Sequence, residues 1–267
     1  MNRTFFAGKY VWITGASSGI GKALTRDFLN AGANLIVSSS KQSRLNEIMD
    51  ELKGSKSELH GVVLDLSNPG SINEAVNSIK QKIGRVDILV NNGGISQRSF
   101  VEETPVEIDR KIMEINYFGN IGLTKAVLPM MIEKGNGHVV VISSITGKFG
   151  FPLRSAYAAS KHALHGFYDS ARAELKPKNI KVTVISPGRV KTNISINAIT
   201  KDGTNHGKMD EGQAKGISAE KCSKKILHAI RTYKKEKLIG GKDIIMVYIR
   251  RYIPSLFYKL SSKIAPT

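Results

Sequence analysis

Short runs of consecutive apolar residues recur along this chain, and between them apolar residues return every three or four positions. Continuous apolar runs are typical of strands buried on both faces of a parallel sheet, and the second pattern is typical of helices. Seven strands are predicted on this basis, at residues 10–13, 34–38, 61–64, 88–90, 138–142, 182–185 and about 238–240. Strands that alternate with helices predict an α/β fold with a doubly wound parallel sheet.

The length and composition of the chain fit one large hydrophobic core. Its 267 residues are 41% hydrophobic, and no repeat or low-complexity linker interrupts the alternation of elements. Since α/β domains of this size are commonly undivided, we predict a single domain over residues 1–267. The least regular stretch is a polar, glycine-bearing segment at residues 193–216.

A glycine-bearing turn follows the first predicted strand. The strand runs into TGASSGIG at residues 14–21, and a helical pattern of apolar residues comes next. In this order Gly15 permits a tight turn and Gly19 lets backbone amides approach a pyrophosphate, while the helix presents its N-terminal dipole to the anion. A glycine turn alone also suits an ordinary strand-to-helix connection, but the flanking elements favour a Rossmann-like dinucleotide site.

Two side chains further along the chain point to proton transfer. Tyr157 and Lys161 lie four residues apart in a helical pattern, so they share one face of that helix. A nearby ammonium favours the ionised phenol and lowers its pKa from about 10, which makes Tyr157 a more effective general acid. Taken alone, such a pair is more commonly a solvated helix face.

The glycine turn and this pair belong to an ordered set of motifs that covers nearly the whole chain. The set comprises TGASSGIG, NNGG at residues 91–94, Asn116, Ser144, Tyr157, Lys161 and the dipeptide Pro187-Gly188. With it the chain resembles the short-chain dehydrogenase/reductase family. The resemblance implies that Tyr157 is the catalytic acid or base, with Lys161 as its electrostatic partner and a ribose ligand. It also implies that Ser144 orients the substrate carbonyl and that Asn116 belongs to a proton relay.

The same resemblance implies which residues contact a nicotinamide dinucleotide. Pro187 and Gly188 would let the backbone approach the nicotinamide, and Val190 and Thr192 would contact its carboxamide and the phosphates. The complete predicted cofactor set is Gly15, Ser17, Ser18, Gly19, Ile20, Ser39, Ser40, Lys41, Asp65, Leu66, Asn92, Gly93, Tyr157, Lys161, Pro187, Gly188, Val190 and Thr192.

Two members of this set carry further expectations. Asp65 matches the family's adenine-contacting position, and it is also a candidate cap for the helix that begins near Pro69; the two roles are compatible. Gly93 stands where the family usually has alanine. Because only a methyl group is lost there, the loop is expected to keep its shape.

The end of the second predicted strand bears on the choice between NADP and NAD. An acidic residue there would bind a ribose hydroxyl and repel a phosphate, and this chain has none. Ser39 and Ser40 offer hydroxyl donors and Lys41 offers a positive charge, so we predict NADP, with NAD as the alternative. The family's usual arginine is absent at Ser40, and Ser18 is not the basic residue found in many NADP-preferring members.

Positive charge is concentrated at the C-terminus. The chain has 40 Lys and Arg against 22 Asp and Glu, a net charge of +18, and twelve basic and two acidic residues fall within 221–267. The tail 241–267 mixes apolar and aromatic residues with arginine and lysine, and it is too charged to span a bilayer. Two hypotheses stay open: a peripheral contact with an anionic membrane, or a lid or oligomer interface. No nucleic-acid module accompanies the charge, so no nucleic-acid partner is expected.

Cysteine and histidine usage set further expectations. Cys222 is the single cysteine, so no intramolecular disulfide is possible and a reducing cytoplasm is the simple expectation, at a membrane surface if the tail binds lipid. The first strand begins too early for a signal peptide to precede it. His162 and His165 have no acidic or cysteine partner nearby, so no metal site is predicted.

The polar segment and the tail together resemble the membrane-associated members of the seven-B type in this family and their bacterial relatives. That resemblance implies a substrate loop at 191–220 and an apolar or lipid-like ketone or secondary alcohol as substrate, and we expect a homodimer or homotetramer. The main hypothesis is an NADP-dependent oxidoreductase. The alternatives are a non-catalytic nucleotide-binding scaffold and a reductase of 3-oxoacyl groups on an acidic carrier protein, which the net charge would attract.

Overall fold

The computed structural model describes residues 5–261, so the ends of the predicted domain and the last six residues of the predicted tail lie outside the described residues. The strands are β1 Tyr10–Thr14, β2 Asn34–Ser39, β3 Leu59–Val63, β4 Ile88–Asn91, β5 Gly137–Ile142, β6 Ile180–Pro187, β7 Val190–Lys191, β8 Ile217–Ser218 and β9 Glu236–Ile239. The α-helices are α1 Gly19–Asn30, α2 Gln42–Glu51, α3 Pro69–Lys82, α4 Val106–Met113, α5 Gly119–Glu133, α6 Ser155–Leu175, α7 Glu211–Ala214, α8 Ala219–Arg231, α9 Ile245–Tyr252 and α10 Pro254–Ser261.

Seven of these strands form one sheet in the order β3-β2-β1-β4-β5-β6-β9, and every neighbouring pair is parallel. All seven correspond to predicted strands, so the Rossmann-like doubly wound fold is confirmed. Strands β3 and β9 each begin about two residues before their predicted first residues. Both are edge strands with few buried residues, and their apolar pattern marks the ends poorly.

The sheet separates two hydrophobic layers. Because side chains alternate between the faces of a strand, Val11 and Ile13 of β1 join the layer that packs on α1, α2 and α8. Tyr10 and Trp12 join the opposite layer, which packs on α3, α5 and α6. All five residues of β1 are buried, which explains why the central strands have continuous apolar sequences.

The strand order reverses between β1 and β4, and this reversal determines where a site can form. The chain leaves β1 toward β2 on one side, whereas β4 continues toward β5 on the other. The loops that follow β1 and β4 therefore diverge and leave a crevice at the carboxyl ends of the strands, which is where open α/β sheets bind ligands.

The polar segment and the tail both fold back toward this crevice. β7 and β8 form a two-residue parallel pair, and Ile199 exchanges backbone hydrogen bonds of 2.8 Å with Ser96 and Arg98. In the tail, Phe257 of α10 is buried and its ring lies 5.3 Å from that of Phe149. Within residues 5–261, no helix is both long and apolar enough to cross a bilayer.

Candidate active site

A cleft of about 500 Å³ opens at the carboxyl ends of the central strands. It brings together thirteen of the predicted site residues from five separate parts of the chain. These are Gly15, Ser18, Gly19, Ile20, Asn92, Gly93, Ser144, Tyr157, Lys161, Pro187, Gly188, Val190 and Thr192.

The glycine turn forms one wall of the cleft. Gly15 and Gly19 have φ of +62° and +51°, in the left-handed region that favours glycine. A methyl group at Gly21 would overlap the carbonyl oxygen of Gly15, so the helix packs against the turn only because this residue is glycine. α1 begins at Gly19, and the side chain of Ser18 makes no capping hydrogen bond to it. The first-turn amides are thus available to an anion, which fits a bound dinucleotide pyrophosphate.

Asn92 and Thr14 join the loop after β4 to this turn. The Asn92 side-chain amide donates to the carbonyl oxygens of Thr14 and Gly15, at 2.9 and 3.2 Å. The backbone amides of Asn92 and Gly93 donate to Thr14 Oγ1 at 2.9 and 2.8 Å. A methyl group at Gly93 would lie 2.8 Å from a terminal carbon of Leu66, so alanine there would require that side chain to move.

Tyr157 and Ser144 meet on the opposite wall. Burial raises the pKa of the Tyr157 phenol, while a hydrogen bond with Ser144 and the positive charges of Arg154 and Arg98 oppose that rise. In the cleft itself, therefore, the charges that favour the phenolate are those of two arginines. Lys161 is not among the groups that shift this pKa, and its Nζ lies 5.7 Å from the centre of the Tyr157 ring. Its effect on the pKa of Tyr157 therefore stays a prediction.

Lys161 is buried behind the tyrosine. Its Nζ donates to the carbonyl oxygen of Ile142 at 2.9 Å, which directs the ammonium to the end of β5. Burial lowers the pKa of Lys161 to about 8. The ammonium is thus fixed at the carboxyl end of β5, and Lys161 belongs to the lining of the cleft.

Asn116 lies behind the cleft rather than in its lining. It sits fully buried in a π-helical turn, Glu114–Phe118, between α4 and α5. Its side chain accepts from the amide of Ile95 at 2.8 Å and donates to the Ile95 carbonyl at 2.9 Å and to Ser160 Oγ at 3.1 Å. Ser160 in turn donates to the carbonyl of Tyr157 at 2.8 Å. Asn116 thus supports the catalytic helix, and its role in a proton relay stays a prediction.

Six other predicted residues also lie outside the lining of the cleft: Ser17, Ser39, Ser40, Lys41, Asp65 and Leu66. Ser39 is buried at the end of β2, with its hydroxyl 3.4 Å from that of Ser17. Ser40 and Lys41 are exposed just beyond it. The β2 end adjoins the glycine turn, because Ala16 donates to the Ser38 carbonyl at 3.0 Å.

The helix-cap interpretation of Asp65 is wrong. Asn68 caps α3, and its side-chain oxygen accepts from Gly70 and Ser71 at 2.8 and 3.3 Å. Asp65 instead accepts from the backbone and hydroxyl of Ser67 at 2.9 and 2.7 Å. The sequence offers both residues within four positions of Pro69, and only the backbone geometry distinguishes them.

Sequence reasoning missed a group of three charged residues in the cleft, which we call the arginine cluster: Arg98, Arg154 and Asp210. Both arginines bind the carboxylate of Asp210, and all three line the cleft. No pattern in the sequence links them, because Asp210 lies 112 residues from Arg98 and 56 from Arg154. Only the folding of the polar segment onto the loop after β4 brings them together.

Gln97 was also missed. Its buried side chain accepts from the amide of Ala156 at 2.9 Å and from that of Tyr157 at 3.4 Å. The residue at the N-cap of α6, Arg154, supplies no capping bond from its own side chain. Gln97 therefore satisfies the first turn of the catalytic helix from another part of the chain.

The tail closes one side of the cleft. Lys242, Asp243 and Met246 belong to its lining. Asp243 accepts from the amides of Arg189 and Gly241 at 2.7 and 2.8 Å, which fixes the start of the tail beside the loop after β6. This packing supports the lid hypothesis for that part of the tail.

The two histidines of α6 make bonds to the protein itself. His162 lies 2.8 Å from the carbonyl oxygen of Ala158, and His165 lies 3.4 Å from the hydroxyl of Ser186. Among residues 5–261, no group of three or more histidine, cysteine or acidic side chains is placed to hold a metal ion.

Comparison with known proteins agrees with this geometry. A family model described as short chain dehydrogenase matches residues 9–203. The protein named dehydrogenase/reductase SDR family member 7B from Mus musculus is 44% identical over 264 residues, which cover 97% of this chain and 82% of that protein. Dehydrogenase/reductase SDR family protein 7-like from Drosophila melanogaster is 43% identical over 268 residues, covering 98% of this chain and 82% of that protein.

Solved structures show the same fold. A short-chain dehydrogenase from Streptomyces avermitilis superposes with a TM-score of 0.80 and 27% identity, over 96% of each chain. A short chain dehydrogenase/reductase from Burkholderia phymatum, in complex with NAD, gives a TM-score of 0.83 at 22% identity, over 94% of this chain and 95% of that one. A short chain dehydrogenase from Burkholderia cenocepacia, in complex with NADP, gives 0.79 at 23% identity, over 96% and 98%.

Proposed function

The chain belongs to the short-chain dehydrogenase/reductase family and is of the 7B type, and we propose that it interconverts a ketone and a secondary alcohol. The observation that carries this proposal is the convergence of Tyr157, Ser144 and Lys161 on one cleft with the glycine turn. A nicotinamide cofactor, when bound, supplies or accepts the hydride.

The residues of the chain would act on the oxygen of the substrate. The side chains of Ser144 and Tyr157 both line the cleft and are near enough to interact, so a carbonyl oxygen beside them would receive one hydrogen bond from each hydroxyl. Tyr157 then donates its proton as charge develops on that oxygen, and takes it back in the reverse direction. The positive charges of Arg154 and Arg98 oppose the rise in the pKa of Tyr157 that burial causes, so they lower the free energy needed to lose this proton. The cofactor would lie along the glycine turn, with Lys161 near its ribose.

Replacing Tyr157 tests the proposal. Tyr157→Phe keeps the ring and removes only the acid, so we expect cofactor affinity near that of the parent and turnover lower by about 10²–10⁴-fold. Tyr252→Phe, on an exposed tail residue, is the matched control and should leave both unchanged. Substrates are found by screening ketones and secondary alcohols with the absorbance of the reduced cofactor. Near-normal turnover in Tyr157→Phe would contradict the assignment.

We propose NADP as the preferred cofactor. Support comes from the β2 end, where Ser39, Ser40 and Lys41 lie beside the glycine turn and no acid is present to repel a phosphate. The two solved structures of the same fold named above hold NAD in one case and NADP in the other, so they do not separate the cofactors. Calorimetry should show tighter binding of NADPH than of NADH, and Lys41→Ala should narrow the difference. Equal affinities of the parent protein for NADPH and NADH would contradict the proposed preference for NADP.

An apolar chain on the substrate is the second part of the proposal. Phe149, Phe151 and Met246 line the cleft, and the segment 191–220 folds over it as a substrate loop would.

A non-catalytic scaffold, the first alternative function, has no chemical need for Tyr157 and Lys161, and it is tested by the same turnover assay. A reductase of acyl groups on a carrier protein is tested with a 3-oxoacyl carrier protein in place of the free ketone.

Oligomer formation, the membrane contact and the cytoplasmic location stay predictions of the same proposal. Support for the membrane contact comes from α9 and α10, where Tyr248, Tyr252 and Ile253 are exposed beside Arg250 and Arg251. Exposed aromatic residues next to arginines are the combination that an anionic interface binds. Light scattering measures the size of the assembly directly.

A further inference from the structure

The arginine cluster holds more positive charge than its carboxylate neutralises. Arg98 places Nε 3.2 Å from one oxygen of Asp210 and its Nη2 against the other, so this pair is bidentate. Arg154 adds Nη2 at 3.0 Å from the oxygen that already binds Arg98. One carboxylate is thus shared by two guanidinium groups, and one unit of positive charge is left over.

This surplus lies in a place where unpaired charge is costly. The side chains of Arg98 and Asp210 are 4% and 5% exposed, and that of Arg154 is 14% exposed. Burial, then the charge of Arg154, lowers the pKa of Arg98 to about 9, and burial is also the main cause that lowers the pKa of Arg154 to about 10. Both groups stay charged at neutral pH. A buried cation without a counterion destabilises a protein, so a bound anion would be favoured there.

A purely structural role accounts for Arg98 but not for Arg154. The bidentate Arg98–Asp210 pair already fastens the polar segment to the loop after β4, and Asp210 is further held by its amide, which donates to Ser195 Oγ at 3.3 Å. Arg154 stacks on the Phe151 ring, 5.0 Å from its centre, which orients the guanidinium plane. The hydrogen bond described for it within residues 5–261 uses Nη2, so Nε and Nη1 keep donors for a ligand.

The position of the cluster relates it to the reacting carbonyl. Arg154 is the N-cap of α6, one helical turn before Tyr157, and Arg98 follows the glutamine that binds the amide of Tyr157. The arginine cluster lines the same cleft as Tyr157 and Ser144. An oxyanion bound by the cluster would therefore share this cleft with a carbonyl that is hydrogen-bonded to Tyr157.

From this geometry, and on the premise of the proposed ketone reduction, we propose that the arginine cluster binds an oxyanion carried by the substrate close to its ketone. The substrate is then an anionic ketone with an apolar chain: the anion faces Arg154, the carbonyl faces Tyr157 and Ser144, and the chain lies along Phe149 and Met246. Arg154 is the specificity-determining residue, because Arg98 is already committed to Asp210. A carboxylate and a phosphate ester share the chemistry that a guanidinium recognises.

Three ketones with the same hexyl chain test this inference. Methyl hexyl ketone is neutral, α-oxooctanoate carries a carboxylate, and the phosphate ester of hydroxymethyl hexyl ketone carries a phosphate. The parent protein should show a higher kcat/KM for one anionic ketone than for the neutral one, and the better anion identifies the group. In Arg154→Met the ratio of anionic to neutral kcat/KM should fall about tenfold or more, the scale of one charge-assisted hydrogen bond.

Two further variants separate specificity from structure. Arg154→Lys keeps the charge and loses the planar fork, so it should restore part of the ratio. Arg26→Met removes an exposed arginine that pairs with Glu51, and the ratio should not change. Equal losses on the neutral and anionic ketones in Arg154→Met, or an unchanged ratio, would overturn the inference while leaving ketone reduction intact.

Binding without turnover distinguishes the two proposals. Octanoate and octyl phosphate are titrated into parent, Arg154→Met and Tyr157→Phe proteins by calorimetry. One of these anions should bind the parent and Tyr157→Phe alike, and about tenfold or more weakly to Arg154→Met. If no ketone is reduced but this binding difference holds, the proposed function fails and the anion site stands. If neither anion binds the parent, the anion site is wrong.

Discussion

Gln97 offers a sharp test of how the fold positions the catalytic tyrosine. Gln97→Met keeps the length and volume of the side chain, so no cavity forms, but it removes the acceptor of the amides of Ala156 and Tyr157. A buried donor left without an acceptor costs about 1–3 kcal/mol, and the bond of 3.4 Å is the weaker of the two. We therefore expect a loss of roughly 2–4 kcal/mol of unfolding free energy.

The assay for Gln97→Met has two parts. For a chain of this size, the loss lowers the midpoint of thermal unfolding by roughly 4–8 °C, which calorimetry measures. Because the first turn of α6 loosens, kcat should fall, while the affinity for NADPH, which we propose to bind along the glycine turn, should change little. Gln42→Met, on an exposed side chain, is the matched control and should cost less than about 0.5 kcal/mol. A midpoint as high as that of the control would refute this role for Gln97.

Three further predictions follow from the structure. Gly21→Ala should abolish NADPH binding by calorimetry, because the added methyl overlaps the Gly15 carbonyl; parent-like affinity would contradict the turn geometry. Burial lowers the pKa of His138 to about 3, so below about pH 6.5 the unfolded chain binds a proton that the folded chain does not. Stability is lost as pH falls from about 6.5 to 3. In His138→Gln the unfolding free energy, measured by urea unfolding at several pH values, should depend less on pH over this range. An unchanged pH dependence would contradict this prediction. Replacing exposed Tyr252 and Ile253 with serine should reduce sedimentation with anionic vesicles, and unchanged sedimentation would exclude this face.

The parts of the fold that the sequence predicts well are those that depend on neighbouring residues. The central strand β1 is apolar at consecutive positions because both faces of the sheet are covered, and this pattern is visible without knowing the partners. The glycine turn is likewise local, since the residues that shape it lie within eight positions. The same holds for Tyr157 and Lys161, which one helix places on one wall of the cleft.

The parts that were missed depend on contacts between distant segments. Asp210 comes from the polar segment and meets Arg98 only after that segment folds back, so neither residue shows a pattern in its own surroundings. Gln97 acts as a cap for a helix that begins 58 positions later. Asn116 was predicted from the family resemblance, and the π-helical turn directs its side chain to the backbone of Ile95 behind the cleft, so its role in a proton relay stays a prediction.

The central claim is that a hydride passes from a nicotinamide cofactor to the carbonyl carbon of a ketone bound in the cleft. The most direct measurement uses NADPH with deuterium at the transferable position and the best ketone from the screen, with mass spectrometry of the alcohol. We expect one deuterium on the carbinol carbon for each NADPH consumed, and about 10²–10⁴-fold less labelled product with Tyr157→Phe. Alcohol without deuterium, or NADPH that binds and is never oxidised by any ketone in the screen, would contradict the claim.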